Sequence, residues 1–596
     1  MKGMKRLITI FLLILPLWAW ADDRQNLTYS PDSSACAYTQ GGNLYVQKNG
    51  QTYSLTSDGS DLILNGYASW VYYEEIFGRP SRYRAFWWSP DGKKLAFYRF
   101  DNSEVPMFPI YSPKGQDGSL NLTRYPKAGE INPTVRIGFV DLSAKPKKWK
   151  VVWADFTQDP DQYFGTPFWS DDSKYLYVQR EPRVQQTLDL YRVDAATGSK
   201  SVVYTETYKT WLDWIEGMLF DDNGLYMARS FETGWEQIYY LGYDGSLKRL
   251  TDGHNWRVSL KARDAANGDI YFTAQRDSRV RSTLYRLAAD GSITAVTDTA
   301  YNVDAVEISP DCKEIKALLS NSTTPHFAIG ETPKAAPDTL ALPKIISIPA
   351  SDGQAMYASI LYPKDFNKAN KYPVHFEIYG GPNTPYVTDR WRIPDQWWSE
   401  NGIIHIVIDV RASGHTGRQG TDLDYLNVVK TPVEDAVTWG EWMKSQPYVD
   451  GDHMGIEGFS FGGSMTAMLL FNHSDVFCCG IAGGGVYDWK LYDTHYTERF
   501  MSTPTLNAKG YRDASPINYV SNYPGDGSVM LKLTHGTGDD NVHFQNTLQL
   551  VDALQQAGKQ FDLMIYPDGM HGYRGAQGKH SLESDRIFWL KHLKNQ

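Results

Sequence analysis

Met454-Gly455-Ile456-Glu457-Gly458-Phe459-Ser460-Phe461-Gly462-Gly463-Ser464 decides the reading of the C-terminal half. A strand-like run ends at Ile456, a helix-forming run follows from Ser464 to Phe471, and Gly458 and Gly462 flank Ser460 between them. Glycine on both sides is what a sharp strand-to-helix turn requires, because the central backbone is strained and neighbouring side chains would collide. Such a turn lifts a serine out at the head of a sheet, where its hydroxyl can serve as a nucleophile.

On either side of this turn, strand-like and helical runs alternate. Val374 to Tyr379, Ile403 to Val410, Val529 to Leu533 and Phe561 to Tyr566 read as strands. Val433 to Lys444, Gln545 to Gly558 and Leu582 to Leu593 read as helices. The alternation predicts an α/β-hydrolase domain over 344–596, with a doubly wound, mostly parallel sheet covered on both faces.

A serine hydroxyl needs a base, and in this fold the partners follow in the order Ser, Asp, His at the ends of later strands. Asp539 and Asp540 follow the run ending at Leu533, and His571 lies in a glycine-flanked loop after Tyr566. Composition does not separate Asp539 from Asp540. Asp568 is a weaker candidate that suits a turn, and His580 and His592 fall in or near the final helix. The oxyanion needs two donors. The Phe461 N–H is one, and the loop Tyr379-Gly380-Gly381-Pro382 offers either a glycine amide or the Tyr379 hydroxyl as the other.

Before Pro343 the rhythm is different. The turn phrases Ser30-Pro31-Asp32-Ser33, Ser89-Pro90-Asp91-Gly92, Ser170-Asp171-Asp172-Ser173, Asp221-Asp222-Asn223-Gly224 and Ser309-Pro310-Asp311-Cys312 recur between short strands. Aromatic strands such as Leu190-Tyr191-Arg192-Val193 and Leu284-Tyr285-Arg286-Leu287 follow them. Repeated short strands without a helical period predict a β-propeller over 22–343, of about six to eight blades. A longer interval between the turns at 89 and 170, rich in proline and glycine, reads as an insertion.

At 596 residues the chain exceeds one ordinary core, in keeping with two domains. Its net charge of −10 argues against a nucleic-acid partner, which calls for a basic face. Lys2, Lys5 and Arg6, the apolar run Leu7 to Trp20 and Ala19-Trp20-Ala21 read as a cleaved signal peptide over 1–21. The run is short for a bilayer span. An exported protein, periplasmic or secreted and without stable membrane insertion, is the expectation. Four cysteines make no disulfide framework, and Cys36 with Cys312 is the one pair open to bridging. No metal-ligand spacing occurs, and no cofactor is expected because side chains complete the chemistry.

The strings Gly-Phe-Ser-Phe-Gly-Gly (458–463), Tyr-Thr-Glu-Arg (496–499), His-Gly-Thr-Gly-Asp-Asp-Asn-Val-His-Phe (535–544), Tyr-Gly-Gly-Pro (379–382) and Trp-Val-Tyr-Tyr-Glu-Glu (70–75) resemble the dipeptidyl peptidase IV branch of the prolyl oligopeptidase family. The resemblance runs on through Phe86 to Gly92 and Tyr125 to Gly129. It implies that Asp539 completes the triad with Ser460 and His571, and that Tyr379 is the side-chain oxyanion donor. By the same resemblance Glu74 and Glu75 grip a substrate's free N-terminal ammonium, and Asn541 donates to its carbonyl. Tyr492, Tyr496, Trp489, Val486 and Val542 match an apolar pocket for a proline ring, with Arg499 a charged neighbour. Two carboxylates on one amine fix its distance from the nucleophile, so a short N-terminal unit is released.

Two departures stand out. Phe461 replaces the Tyr usual in the branch, and the branch usually carries a longer N-terminal section, with further propeller and a carbonyl-holding Arg. Either fewer blades than usual, about six or seven, or a gapped ring is therefore expected. The function implied first is an exported serine exopeptidase that removes Xaa-Pro, and less readily Xaa-Ala, dipeptides from peptides with free N-termini. A tripeptidyl variant and a catalytically impaired interaction protein are the alternatives. Relatives often form homodimers, so self-association is the remaining partner expectation.

Overall fold

The computed structural model describes residues 23–594; the signal peptide expected over 1–21 lies outside them. Six antiparallel sheets follow one another from Gln25–Tyr29 to Thr324–Ala328, the first five of four or five strands and the sixth of three. This is the propeller, at the lower end of the expected range.

The recurrent turn phrase is what starts the second long strand of most sheets. In four of the five turns the serine Oγ donates to an aspartate two residues on, at 2.6–2.7 Å in Ser30–Asp32, Ser89–Asp91, Ser170–Asp172 and Ser309–Asp311. The fourth residue of each, Ser33, Gly92, Ser173 or Cys312, has φ between 54° and 66°. The serine then accepts an N–H at the head of the next strand, as Ala35 N does at 3.0 Å and Lys94 N at 2.9 Å. A side chain that closes its own turn needs no tertiary help, so the phrase is readable in sequence. Tryptophans then join sheet to sheet, Trp88 Nε1 to Thr28 O at 3.0 Å and Trp169 Nε1 to Trp87 O at 3.2 Å.

The insertion is a separate two-stranded hairpin, Met107–Ser112 with Ser119–Arg124. Its inner side chain Phe108 stacks on His543 of the C-terminal half, ring centroids 3.6 Å apart.

The C-terminal half carries one eight-stranded sheet: β1 (Lys344–Pro349), β2 (Ala355–Leu361), β3 (Tyr372–Ile378), β4 (Ile404–Ile408), β5 (Val449–Phe459), β6 (Cys479–Gly483), β7 (Met530–Gly536) and β8 (Asp562–Tyr566). The spatial order is β1-β2-β4-β3-β5-β6-β7-β8; β2 runs antiparallel to both its neighbours, β1 and β4, and the remaining pairs are parallel. On one face Val374, Phe376, Ile378, Ile406 and Ile456 are buried under helices α1 (Lys430–Lys444) and α2 (Phe461–Asn472). On the other, His375 meets Trp589 of the closing helix, ring centroids 4.5 Å apart. That helix spans Gly575–Lys594, so it begins seven residues before the sequence pattern suggested. The chain leaves β3 to one side for β4 and returns to the other for β5, which makes the ends of β3 and β5 the switch point where such sheets bind ligands.

Among the described residues no helix is long and apolar enough to cross a membrane, and the four cysteines are free thiols.

Candidate active site

Ser460 sits between β5 and α2 with φ 60° and ψ −121°, a conformation that costs an L-residue strain. The surrounding glycines show why it persists. A Cβ on Gly462 would lie 2.3 Å from the Ile378 carbonyl oxygen, one on Gly458 2.4 Å from the Gly462 oxygen, and one on Gly463 2.5 Å from the Gly483 oxygen. The turn is wedged between β3 and β6 with no room for side chains on either side of Ser460.

Asp539 and His571 come together as expected: His571 Nδ1 lies 2.7 Å from Asp539 Oδ2. The other carboxylate oxygen accepts the backbone N–H groups of Asn541 and Val542, both at 3.0 Å. Burial works against ionisation of Asp539, but His571 and His535 outweigh it and hold the carboxyl well below the usual range. His571 packs on Phe459, the neighbour of Ser460, with ring centroids 5.0 Å apart. Asp540 turns away to Arg79, and Asp568 sits in a turn with φ 54°, paired with Lys114 at 3.2 Å.

Phe461 is the first residue of α2, so its N–H has no carbonyl a turn behind it and is available to an oxyanion. Tyr379 follows β3 directly. Burial pushes its phenol up to about 12, partly countered by the Ser460 side chain, so it remains a hydrogen-bond donor at neutral pH.

Glu74 and Glu75 lie on a single π-helical turn, Tyr72–Ile76, closed by Phe77 N to Tyr72 O at 2.8 Å. Such turns splay successive side chains and recur at functional sites. Asn541 joins this turn to the loop that carries Asp539: its Nδ2 donates to Glu74 Oε1 at 3.1 Å and its Oδ1 accepts from the Tyr492 hydroxyl at 2.8 Å. The Tyr492 hydroxyl also lies 3.4 Å from Glu75 Oε1. Burial, with Asp493 and Glu74 adding to it, raises the Glu75 carboxyl well above its ordinary range. Beyond Glu75 opens a cavity of about 570 Å³, lined also by Asp213, Trp214, Glu216, Arg257 and Arg499.

The aromatic wall is continuous. Phe461 lies 5.4 Å from Trp489, Trp489 stacks on Tyr496 at 6.4 Å, and Tyr496 meets Tyr492 edge-on at 5.5 Å between ring centroids. Val486 and Val542 are fully buried; the Val486 backbone bonds Ser464, and the Val542 carbonyl accepts from His535 at 2.8 Å. Arg499 stands apart, bonded to Gln185 at 2.7 Å and on the cavity side.

Four participants were not singled out in sequence. Arg79 pairs with Glu74 at 2.6 Å, Tyr125 donates to the Asn541 carbonyl at 3.0 Å, His535 supports Asp539 at 3.3 Å, and the Asp493 carboxyl lies beside Glu75 and raises it. Tyr125 acts across 416 residues, whereas His535 lies four residues from Asp539. Tyr125 and His535 lie inside matched strings and Asp493 beside one; Arg79 lies in none. Among the described residues no group of three or more His, Cys, Asp or Glu is arranged to hold a metal ion.

Comparison with known proteins agrees with this architecture. Residues 13–326 match the family model of the dipeptidyl peptidase IV N-terminal region, and residues 390–596 that of the prolyl oligopeptidase family. The chain is 31% identical to a probable dipeptidyl-aminopeptidase B of Talaromyces marneffei over 95% of its own length and 68% of the relative's. It is 29% identical to a probable dipeptidyl peptidase 4 of Aspergillus flavus, covering 96% of this chain and 78% of that one. Among solved structures, dipeptidyl peptidase 4 of Porphyromonas gingivalis superposes with a TM-score of 0.88 at 27% identity, over 96% of this chain and 83% of the other. The chain belongs to the prolyl oligopeptidase family, in the branch that carries the dipeptidyl peptidase IV N-terminal region.

Proposed function

We propose that the protein is an exported serine dipeptidyl peptidase that releases Xaa-Pro, and less readily Xaa-Ala, from peptides with a free N-terminus. The observation that carries the reading is Asn541. Its side chain bonds Glu74 while its backbone N–H bonds Asp539, so the candidate amine ligand and the candidate triad share one residue. A substrate anchored by its ammonium at Glu74 and Glu75 then presents a peptide bond a short, fixed distance away.

Ser460 attacks that carbonyl as His571 takes its proton, and the tetrahedral oxyanion is met by the Phe461 N–H and the Tyr379 hydroxyl. His571 returns the proton to the leaving amine, which leaves an acyl-enzyme on Ser460 that water hydrolyses by the same route. The wall of Trp489, Tyr492 and Tyr496 suits a flat, compact proline ring ahead of the scissile bond. We propose a domain boundary at 343/344, where β1 opens the hydrolase sheet, and a homodimer, supported by the exposed apolar face of the 107–124 hairpin.

The test is steady-state hydrolysis of Gly-Pro-, Ala-Ala-Pro- and N-blocked Gly-Pro-p-nitroanilide, with Ser460→Ala alongside. Turnover of free Gly-Pro alone, lost in the variant, is expected. Preference for the tripeptide would move the amine ligand outward, cleavage of the blocked substrate would remove the role given to Glu74 and Glu75, and a folded but inert chain would leave an interaction protein.

A further inference from the structure

The two glutamates of the proposed amine anchor are held quite differently. Both oxygens of Glu74 are engaged, Oε2 by Arg79 Nε at 2.6 Å and Oε1 by Asn541 Nδ2 at 3.1 Å. The second arm of the same guanidinium, Nη2, reaches Asp540 Oδ1 at 3.1 Å, and Asp540 follows Asp539 directly. The hydrogen bond to Glu75 is a long one, from the Tyr492 hydroxyl at 3.4 Å, and Glu75 lines the cavity.

We propose that the two glutamates divide their work. Glu75 is the principal ligand of the substrate ammonium, and Glu74, Arg79 and Asp540 form a strut that sets the distance between that ligand and Ser460. The inference rests on the aminopeptidase reading above and makes Arg79 a positioning residue rather than a catalytic one.

The segment that carries Arg79 is shaped for this. Arg79–Ser81 is one short turn, entered through Gly78 at φ 73° and left through Arg82 and Tyr83 at φ 51° and 68°, two non-glycine residues held in the left-handed region. Strain of that kind persists where packing enforces it. Here Tyr83 stacks on Tyr73 with centroids 3.6 Å apart, and the Arg79 guanidinium lies over Tyr73 at 5.6 Å. A planar fork spans two carboxylates at once, which a lysine ammonium on a flexible stem does not. The strut therefore ties a propeller turn to the loop that carries the triad aspartate, the path along which anchor-to-nucleophile distance is defined.

Charge gives the inference a distinctive kinetic signature. Arg79 neutralises Glu74 beside the place an ammonium occupies. Without it the site is more negative, so the amine is held at least as tightly, but in more than one position. Arg79→Ala is expected to lower kcat on Gly-Pro-p-nitroanilide by about 10- to 100-fold, the usual cost of roughly 1 Å of misplacement, with no rise in KM. Arg79→Lys should keep a wild-type KM and lose an intermediate part of kcat. Because Asp540 acts through the same strut, Asp540→Asn should lower kcat too, and Arg79→Ala/Asp540→Asn should be no slower than Arg79→Ala alone within about two-fold. Glu75→Gln should raise KM more than Glu74→Gln.

A rise in KM with kcat unchanged, additive losses in the double variant, or a larger KM effect at Glu74 would overturn the strut while leaving the aminopeptidase reading intact. A wild-type chain that cleaves free and N-blocked Gly-Pro-p-nitroanilide alike overturns both.

Discussion

Arg183 closes a two-armed ion pair on Glu498, with Nε 2.6 Å from Oε2 and Nη2 2.8 Å from Oε1. Arg183 directly follows the propeller strand Tyr175–Pro182. Glu498 belongs to helix α3 (Thr494–Met501), which also carries Tyr496 of the aromatic wall. The Glu498 side chain is 0% exposed and accepts a further N–H from Gly129 at 2.7 Å. Two propeller segments thus grip one buried carboxylate under the pocket. Burial raises the Glu498 carboxyl and Arg183 pulls it back.

Removing one partner of such a pair strands the other charge in the interior. Arg183→Ala is therefore expected to cost about 3–5 kcal/mol, far more than a surface pair would. Urea unfolding measures it, and hydrogen exchange over 494–501 localises it. Protection of α3 equal to wild type in the variant would show that the helix is held by its apolar contacts alone.

Asp539 and Asp540 are chemically alike and adjacent, so their variants separate geometry from charge. Asp539→Asn should leave His571 in the wrong tautomer and lower kcat by about 10⁴. Asp540→Asn, which faces Arg79 rather than His571, should fall far short of that loss. Equal losses at the two positions would mean that Asp539 is not the residue orienting the base.

Gly462 tests the elbow itself. A methyl there meets the Ile378 carbonyl oxygen at 2.3 Å, and that oxygen belongs to the strand backbone, which cannot step aside as a flexible side chain would. Gly462→Ala is predicted to destabilise the domain by about 1–3 kcal/mol and to shift Ser460 out of line, with kcat falling more than stability accounts for. Thermal unfolding beside steady-state kinetics checks it; a variant with wild-type kcat would show that the turn tolerates a side chain.

Much of this molecule was legible because its decisive contacts are local. The turn at Ser89-Pro90-Asp91-Gly92 is closed by its own serine and aspartate, and the elbow by its own glycines. The fifth sheet escaped the turn phrase because its connection, Asp264 to Asp269, lacks the serine and closes through Gly268 N to Asp264 O instead. Choosing Asp539 over Asp540 needed either a family resemblance or the structure, since side-chain direction in a loop leaves no trace in composition. Arg79 was invisible for a stronger reason: its partner Asp540 is 461 residues away, and nothing about Gly78-Arg79-Pro80 announces a charge pair rather than a surface turn.

Glu75 and Asp493 are neighbouring carboxyls in a buried site, and this predicts how binding depends on pH. Burial, reinforced by Glu74 and Glu498, raises Asp493 to about 7 against the pull of the Tyr496 and His495 backbone N–H groups, and Glu75 is raised as well. Raised carboxyls favour the folded chain most at low pH, and that contribution is lost as pH climbs from about 4 towards 7. Substrate reverses the balance, because an ammonium binds the ionised carboxylates and competes with the proton. KM for Gly-Pro-p-nitroanilide should fall as pH rises through about 7, then rise again as the substrate's own amine, with a pKa of about 7.7–8.0, loses its proton. Burial is the main cause of the raised Glu75 carboxyl and Asp493 adds to it, so Asp493→Asn should move the acid limb part of the way to lower pH. An unmoved limb, or a flat KM from pH 5 to 7, would exclude this pair from binding.

The insertion hairpin shows two unlike faces, and the outer one predicts self-association. Phe108 and Ile110 point inward, while Tyr111 and Leu120 pair across the strands at 56% and 60% exposure and Leu122, opposite Pro109, is 60% exposed. Met107 extends the same face. An isolated two-stranded hairpin is marginal in water, and a solvent-facing apolar row along it is costly unless covered. A second copy offers the same row, so two hairpins related by a two-fold axis would cover each other. Leu120→Lys with Leu122→Lys is expected to convert the sedimenting species from two chains to one while Gly-Pro-p-nitroanilide turnover per chain is kept, since neither leucine touches the active site. A wild-type chain that sediments as a monomer at micromolar concentration would refute the pairing, and a variant that remains a dimer would place the interface elsewhere.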